Sequence, residues 1–366
     1  MKSSLTCWVV VAGALVLFIG ASSGQSAPDR GALRTRGKTI YETHCARCHG
    51  NDGADTQIYP GIKTLVDITQ RMRMREALDK SKGFAGVALE GEEGEALFAY
   101  LDTFRAGRYA RPELLVEPSW VELHAADPDV RVVDLRAAAA YGMGHVPGAV
   151  RLDGGLLRSG EDPETYLPSA ATVSGWLRDA GINPNTHVVI YDDRGNVNAA
   201  RLWYVLSAYG RERVSLINGG WSQWSAEKRP VSTAVPAVSP TAYPVKADAR
   251  LGSPTSEVLK RRAGVAYLDA RSPAENKSGR IPGAIHAEWL ETVAGPHLRF
   301  RPAAELLKLY RDRGLTPERE IITYCAVGIR ASHALFTLRL LGYDRARVYF
   351  GSWADYSKRP DAPVER

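Results

Sequence analysis

Three of the four cysteines of this chain lie in two sequence contexts that could support chemistry, and the fourth, Cys7, lies in an apolar N-terminal stretch. Cys45 and Cys48 form a closely spaced pair with His49 directly after it, whereas Cys325 has no second cysteine near it. An unpaired thiol is vulnerable in an oxidising compartment unless it is buried or has a chemical role. Residues 325–330 read Cys-Ala-Val-Gly-Ile-Arg between a predicted strand and a predicted helix. Helix N-termini stabilise anions, so we expect Cys325 to be a nucleophilic thiolate of lowered pKa.

Two further residues of this loop are expected to serve the thiolate. Arg330 would add a positive charge that holds an anionic sulfur species or an anionic substrate. Gly328 and its neighbours would direct backbone N–H groups at the same anion. The alternative for Cys325 is an inert core cysteine. We therefore predict Cys325 and Arg330 as catalytic residues and Gly328 as a substrate-binding residue.

Cys45, Cys48 and His49 form the C-x-x-C-H pattern of c-type haem attachment. The two thiols can form thioethers with the haem vinyl groups, and the histidine can bind the iron. The alternatives are a dithiol redox pair and half of a zinc site, for which this segment offers few further Cys or His ligands. We predict covalently bound haem c with His49 as an iron ligand.

The sequence around this motif is typical of a small helical domain. Residues 40–44 read as the end of a first helix. A later apolar helical face is formed by Ala96, Leu97, Tyr100, Leu101 and Phe104. The segment resembles a small class I cytochrome c, in which a methionine usually supplies the sixth iron ligand. Met72 and Met74 are the candidates here, and Lys82, a water or an open position are the alternatives.

The N-terminus has the pattern of a secretory signal peptide. Met1-Lys2 precedes an apolar stretch over residues 7–19, and small residues follow. The stretch is shorter than the roughly 20 residues of a membrane-spanning helix, although a retained anchor is the alternative. We expect cleavage near residues 21–27, a periplasmic location and no stable membrane span in the mature chain.

Length and composition fit two or three globular domains. The net charge of +6 is spread along the sequence without a block of Lys and Arg. This pattern gives no reason to expect a nucleic acid partner, and it is compatible with a small anionic one.

After residue 111 the sequence repeats itself. The elements VVDLR at 132–136 and GHVPGA at 144–149 match YLDAR at 267–271 and GRIPGA at 279–284. Further along, VVIYD at 188–192 matches IITYC at 321–325, and NGGW at 218–221 matches FGSW at 350–353. Four matches in the same order indicate two homologous units. A stretch rich in Pro, Ala, Ser and Thr over residues 230–244 is the expected linker.

Within each unit, short β-branched runs alternate with helical patterns. This alternation predicts two α/β domains, each with a parallel sheet flanked by helices. We expect a strand over 321–324 and then a helix from about Arg330 to Leu341, ended by Gly342. The predicted domains are a signal peptide at 1–27, a small all-α haem domain at 28–110, and α/β units at 111–231 and 240–366.

Taken together, the matched elements resemble a tandem rhodanese, a family of sulfurtransferases. In that family the first domain is commonly without catalytic activity, and the second carries the catalytic cysteine. Asp192 stands in the first unit where Cys325 stands in the second. A carboxylate cannot carry sulfane sulfur, so we expect the first unit to be inactive and Asp192 to be a capping or surface residue.

The resemblance also implies roles for two substrate-binding residues. Arg271 matches an arginine that binds the anionic donor, and its alternative role is an ion pair at a strand end. His145 matches a histidine that faces the active site in some relatives, although it could only stabilise its own turn. Arg280 replaces that histidine in the second unit, and Val327 replaces a basic residue of thiosulfate-specific relatives.

The function implied by the resemblance is a ping-pong transfer of sulfur. The Cys325 thiolate would take sulfane sulfur from thiosulfate, or from 3-mercaptopyruvate as second choice, and pass it to a thiophilic acceptor such as cyanide. One alternative is a haem-linked oxidoreductase that oxidises sulfur bound at Cys325 and needs an electron-transfer partner such as another cytochrome. A second alternative is a non-catalytic sulfur carrier.

Overall fold

The computed structural model describes residues 30–44, 96–97, 109–158, 166–241, 245–246 and 249–366. The described part of helix α1 spans Arg30–His44, and its C-terminal end covers residues 40–44, which the sequence predicted as helical. Tyr41 near that end is buried, and so are the helical residues Ala96 and Leu97. Among the described residues, no helix is both long and apolar enough to cross a membrane.

The first α/β unit begins at the 3-10 helix Pro112–Leu114. Its described residues form a five-stranded parallel sheet in the order β1-β5-β4-β2-β3. The strands are β1 Leu115–Val116, β2 Val130–Asp134, β3 Val150–Arg151, β4 His187–Tyr191 and β5 Val214–Ile217. The helices are α2 Pro118–His124, α3 Ala138–Met143, α4 Ala170–Asp179, α5 Val197–Ala208 and α6 Gly220–Ala226, with a 3-10 helix at Gly154–Arg158.

The second unit repeats this plan with a four-stranded parallel sheet in the order β11-β10-β6-β7. Its strands are β6 Ala266–Asp269, β7 Ile285–His286, β10 Ile321–Tyr324 and β11 Ala346–Val348, and β8 Val293–Ala294 pairs antiparallel with β9 Arg299–Phe300. The helices are α7 Thr255–Lys260, α8 Pro273–Ser278, α9 Ala303–Arg311, α10 Ile329–Leu340 and α11 Ser352–Tyr356. Two 3-10 helices lie at Ala249–Leu251 and Trp289–Thr292.

This architecture confirms the predicted fold class of two parallel α/β units. β10 has the predicted bounds, and α10 begins one residue before the predicted start. Gly342 follows α10 with φ of +83°, a left-handed conformation that suits glycine and ends the helix. Part of the predicted linker runs back over the first unit, where Ser232 exchanges backbone hydrogen bonds with His145.

The two units share one core. α5 follows β4, α10 follows β10, and these two helices pack directly on each other. At their contact the rings of Trp203 and Phe336 meet edge to face, with centres 5.1 Å apart. A single apolar cluster contains buried side chains of both units. The catalytic loop predicted at the start of α10 is therefore built against the first unit.

Candidate active site

Cys325 occupies the position that the sequence predicted, between the end of β10 and the start of α10. All four residues of β10 are buried, and the Cys325 side chain is itself 1% exposed. The backbone N–H of Gly328 donates a hydrogen bond to Cys325 Sγ, with N and S 3.1 Å apart. An N–H group directed at the sulfur can stabilise negative charge that develops there during a reaction.

Gly328 is required for this arrangement. It caps α10 with φ of +85°, in the left-handed region that favours glycine. A Cβ atom at this position would lie 2.3 Å from Cδ2 and 2.5 Å from the backbone oxygen of Phe350. Only a residue without a side chain can bring its N–H to the sulfur here.

The Cys325 loop is supported by the turn at residues 350–353, which carries the second copy of the repeated Trp motif. Ser352 accepts a hydrogen bond from the backbone N–H of Cys325 at 3.1 Å and donates to the Tyr349 carbonyl at 2.9 Å. The N–H groups of Trp353 and Ala354 donate to the carbonyls of Cys325 and Ala326, both at 2.9 Å. Sequence reasoning identified the Trp motif as part of the repeat and missed Ser352 as a support of the Cys325 backbone.

Arg330 lies beside the sulfur, but its guanidinium is already paired. Its two terminal nitrogens donate to the two carboxylate oxygens of Glu275 at 2.7 and 2.8 Å. This hydrogen-bonded pairing lowers the pKa of Glu275 to about 2, so the carboxylate is charged at neutral pH. The same pairing and the nearby Cys325 raise the pKa of Arg330. Sequence reasoning missed Glu275, whose signal was a capping box with Ser272 at the start of α8.

The structure places Arg271 at the end of β6 in the ion pair that was its alternative role. Its guanidinium donates to both carboxylate oxygens of Asp269, with the shortest contact at 2.6 Å, and to the Gly279 carbonyl at 2.7 Å. The side chain is 1% exposed and lies over the Trp353 ring. These contacts hold the Arg271 guanidinium at the end of β6, and donor binding by Arg271 stays a prediction.

The contacts of His145 lie in its own turn, as its alternative role predicted, and a role in substrate binding stays a prediction. Its ring stacks on Tyr141 with centres 3.8 Å apart and is fully buried. Its two nitrogens lie 3.0 Å from the Tyr141 carbonyl and 3.1 Å from the Ala234 carbonyl. All these contacts belong to the first unit and its linker, so the geometry gives His145 no contact with Cys325.

Asp192 shows how the first unit fills the equivalent position. Its buried carboxylate accepts backbone hydrogen bonds from Arg194 and Asn196 at 2.8 Å, from Asn198 at 2.8 Å and from Ala199 at 3.1 Å. Burial raises the pKa of this carboxyl, and the four N–H donors oppose that rise. The expected capping role is therefore correct, and the surface location is wrong. The loop of the first unit thus holds a hydrogen-bonded carboxyl group where the second unit holds a thiol.

The predicted haem residues Cys45, Cys48 and His49, and the candidate iron ligands Met72 and Met74, lie outside the described residues.

Family models match most of the chain. The model described as "Rhodanese-like domain" matches residues 117–227 and 255–359, and the model described as "Cytochrome c" matches residues 35–97. The two rhodanese matches enclose Asp192 and Cys325 respectively. The cytochrome c match encloses the C-x-x-C-H sequence.

Curated and solved relatives agree with these matches. The thiosulfate sulfurtransferase of Azotobacter vinelandii is 34% identical over 70% of this chain and 98% of its own length. The sulfur carrier protein TtuD of Thermus thermophilus is 33% identical over 70% of this chain and 98% of its own length. SseA from Escherichia coli, described as a 3-mercaptopyruvate sulfotransferase with the rhodanese fold, is 25% identical with a TM-score of 0.60, over 66% of this chain and 98% of that one. The chain thus belongs to the rhodanese family, with two rhodanese-like domains in tandem behind a cytochrome c-like segment.

Proposed function

We propose that the protein is a sulfurtransferase that carries sulfane sulfur on Cys325. The Cys325 thiolate attacks the outer sulfur of thiosulfate or a similar anionic donor, the S–S bond of the donor breaks, and sulfite leaves with the bonding electron pair. The Cys325 persulfide then gives its outer sulfur to a thiophilic acceptor, such as cyanide, and the thiolate is regenerated. The names of the relatives from Azotobacter vinelandii and Escherichia coli support this reaction class.

The observation that carries the proposal is the hydrogen bond from the Gly328 N–H to Cys325 Sγ at the start of α10. It holds the sulfur at the positive end of a 12-residue helix, where an anion is stabilised. The same amides would stabilise the terminal sulfur of the persulfide. The Cys325 side chain is itself 1% exposed, which would limit contact between the persulfide and bulk thiols or oxidants.

Steady-state kinetics with thiosulfate and with 3-mercaptopyruvate test the proposal, on the native protein and on Cys325→Ser. We expect turnover with at least one donor in the native protein and none in the variant. Mass spectrometry after exposure to the donor alone should find one added sulfur atom on Cys325. A native protein that gains no sulfur from either donor would refute the proposal.

We further propose that Cys45, Cys48 and His49 hold a c-type haem, because the cytochrome c model matches residues 35–97 around them. The buried side chains of Tyr41, Ala96 and Leu97 fit a folded domain with an apolar interior. A bound haem would supply one-electron transfer. Replacing Cys45 and Cys48 by Ser should remove the covalent haem absorption from the denatured protein and leave sulfur transfer at Cys325 intact.

The haem match favours one other function, oxidation of sulfur bound at Cys325 with a partner cytochrome as electron acceptor. Anaerobic addition of thiosulfate to the oxidised protein separates the two functions. Transfer alone predicts thiocyanate formation from cyanide while the visible spectrum remains that of the oxidised haem.

The sulfur carrier named among the relatives favours a third function, persulfide delivery to another protein. It predicts labelling of Cys325 with negligible turnover on small acceptors.

The signal-like N-terminus supports export to the periplasm. Fractionation of expressing cells should find the haem-containing protein there, shortened near residues 21–27.

A further inference from the structure

Arg330 interacts with Cys325 and is at the same time paired with a carboxylate. Arg330 donates to both carboxylate oxygens of Glu275 and also lies within the electrostatic reach of Cys325 Sγ. Glu275 is 37% exposed and Arg330 25% exposed, so the pair borders solvent and is accessible to a ligand. With Cys325 as a thiolate, the formal charges of this triad sum to minus one before any donor binds.

The other nearby charges do not change this balance. Arg271 is buried against Asp269, and Arg280 is paired with Glu365. Position 327 presents a valine that is 56% exposed and carries no charge. Among the described contacts of the loop, a donor would therefore find one guanidinium, that of Arg330, and the backbone amides. Arg330 is already paired with Glu275.

We propose that Glu275 is a specificity-determining residue, which competes with the donor for Arg330 and thereby selects against donors that carry two negative charges. This inference rests on the proposed sulfur transfer and deepens it by naming the charge class of the donor. A doubly charged donor must displace or share the Glu275 carboxylate to reach Arg330, and it meets greater repulsion from that carboxylate than a singly charged donor does.

The same competition helps product release. When a donor such as thiosulfate loses its outer sulfur to Cys325, a doubly charged sulfite remains beside Arg330. Re-pairing of Glu275 with Arg330 then removes the guanidinium contact that would retain sulfite. The bidentate Arg–carboxylate geometry is well suited to this exchange, because it matches the planar arrangement of oxygen atoms on either partner.

Glu275→Gln removes the charge and keeps the shape. Glutamine can serve as the third helical residue of a capping box, so Ser272 and the start of α8 should retain their structure. Glu257→Gln is the matched control, since Glu257 also accepts from both terminal nitrogens of an arginine, Arg347, at 2.6 and 2.7 Å. Arg347 belongs to β11 and has no described contact with the Cys325 loop.

The test compares kcat/KM for thiosulfate, a dianion, with kcat/KM for methanethiosulfonate, a monoanion with the same kind of sulfur–sulfur bond. We expect Glu275→Gln to raise the thiosulfate-to-methanethiosulfonate ratio by about tenfold, mainly through a lower KM for thiosulfate. Glu257→Gln should leave the ratio unchanged. A second readout is protection of Cys325 from alkylation by sulfite, which should require less sulfite in Glu275→Gln.

An unchanged ratio in Glu275→Gln would overturn the inference. So would an equal loss with both donors, because that result would show that Glu275 only orients Arg330. If neither donor places sulfur on Cys325 in the native protein, the proposed function fails and this inference fails with it. If the protein transfers sulfur but the donor ratio is the same in Glu275→Gln, the inference about Glu275 fails and the proposed function stands.

Discussion

The guanidinium carbon of Arg201, in the first rhodanese unit, lies 3.3 Å from the centre of the Phe350 ring in the second unit. Phe350 in turn packs against Gly328, whose N–H holds Cys325 Sγ. Arg201 is fully buried and donates to the carbonyls of Leu157 at 3.1 Å and Tyr166 at 2.6 Å. The unit that lacks a cysteine thus supports the loop of the unit that has one.

Arg201→Gln should therefore affect both stability and Cys325. Loss of the buried cation–π contact and of two charged donors should lower the free energy of unfolding by about 2–4 kcal/mol. Displacement of Phe350 should also change the rate at which iodoacetamide alkylates Cys325. Arg211→Gln is the control, because Arg211 is buried and donates to the carbonyls of Asn183 and Thr186 away from the loop. Equal alkylation rates in the two variants would contradict this link.

Gly328→Ala should abolish most sulfur transfer. The added Cβ would collide with Phe350, and alanine is strained at φ of +85°. We expect a loss of at least about 2 kcal/mol in unfolding free energy and a more than tenfold drop in kcat. Gly264→Ala controls for backbone strain alone, since Gly264 has φ of +84° and no atom within 4 Å of its Cβ position. Gly264→Ala should lose only about 1 kcal/mol and keep full turnover.

Asp192→Asn should destabilise the first unit without slowing transfer at Cys325. The amide nitrogen of asparagine would face backbone N–H groups that now donate to a carboxylate oxygen. We expect a loss of about 2–4 kcal/mol, read from the denaturant midpoint. kcat with saturating donor should remain within about twofold of the native value. A large drop in kcat at unchanged stability would mean that Asp192 takes part in the reaction.

His333 should make the protein sensitive to acid. It lies on α10 between the rings of Phe300 and Trp289, whose centres are 4.9 and 5.2 Å away. Burial lowers its pKa from 6.5 to about 3, and the Gly195 backbone only partly opposes this shift. Between these two pH values the unfolded chain binds more protons at this position than the folded protein does. The free energy of unfolding should then fall by about 1.4 kcal/mol for each unit of pH decrease.

His333→Phe should reduce that slope by the same amount. Chemical denaturation at several pH values between 6.5 and 4 measures it. His187, whose pKa burial lowers to about 4, should still contribute its own acid sensitivity in the variant. An identical slope in native protein and variant would show that the buried imidazole is not the titrating group.

Much of the fold was predictable from the residues alone. β-branched runs such as residues 321–324 mark buried parallel strands because both faces of such a strand are covered. Gly342 marked the end of α10 because helices often end in a residue with positive φ, a conformation that glycine adopts without a steric penalty from a Cβ atom. Cys325, Gly328 and Arg330 were predictable as a group because a strand, a short loop and a helix N-terminus follow each other directly in the chain.

The partners of those residues were decided by tertiary structure. Arg271 and Arg330 both lie close to the loop. Arg271 pairs with Asp269 in the interior, whereas Arg330 pairs with Glu275 at the edge of solvent. Sequence spacing gives no measure of which carboxylate reaches which guanidinium. Ser352 and Arg201 lie 27 and 124 residues from Cys325, and only the packing of the Trp motif and of α5 against α10 brings them to its loop. The sequence alone determined the placement of Cys325 and of the Gly328 N–H beside it, because the strand, loop and helix that carry them are consecutive in the chain. The charge that the donor meets is set by contacts between distant segments, which only the folded chain brings together.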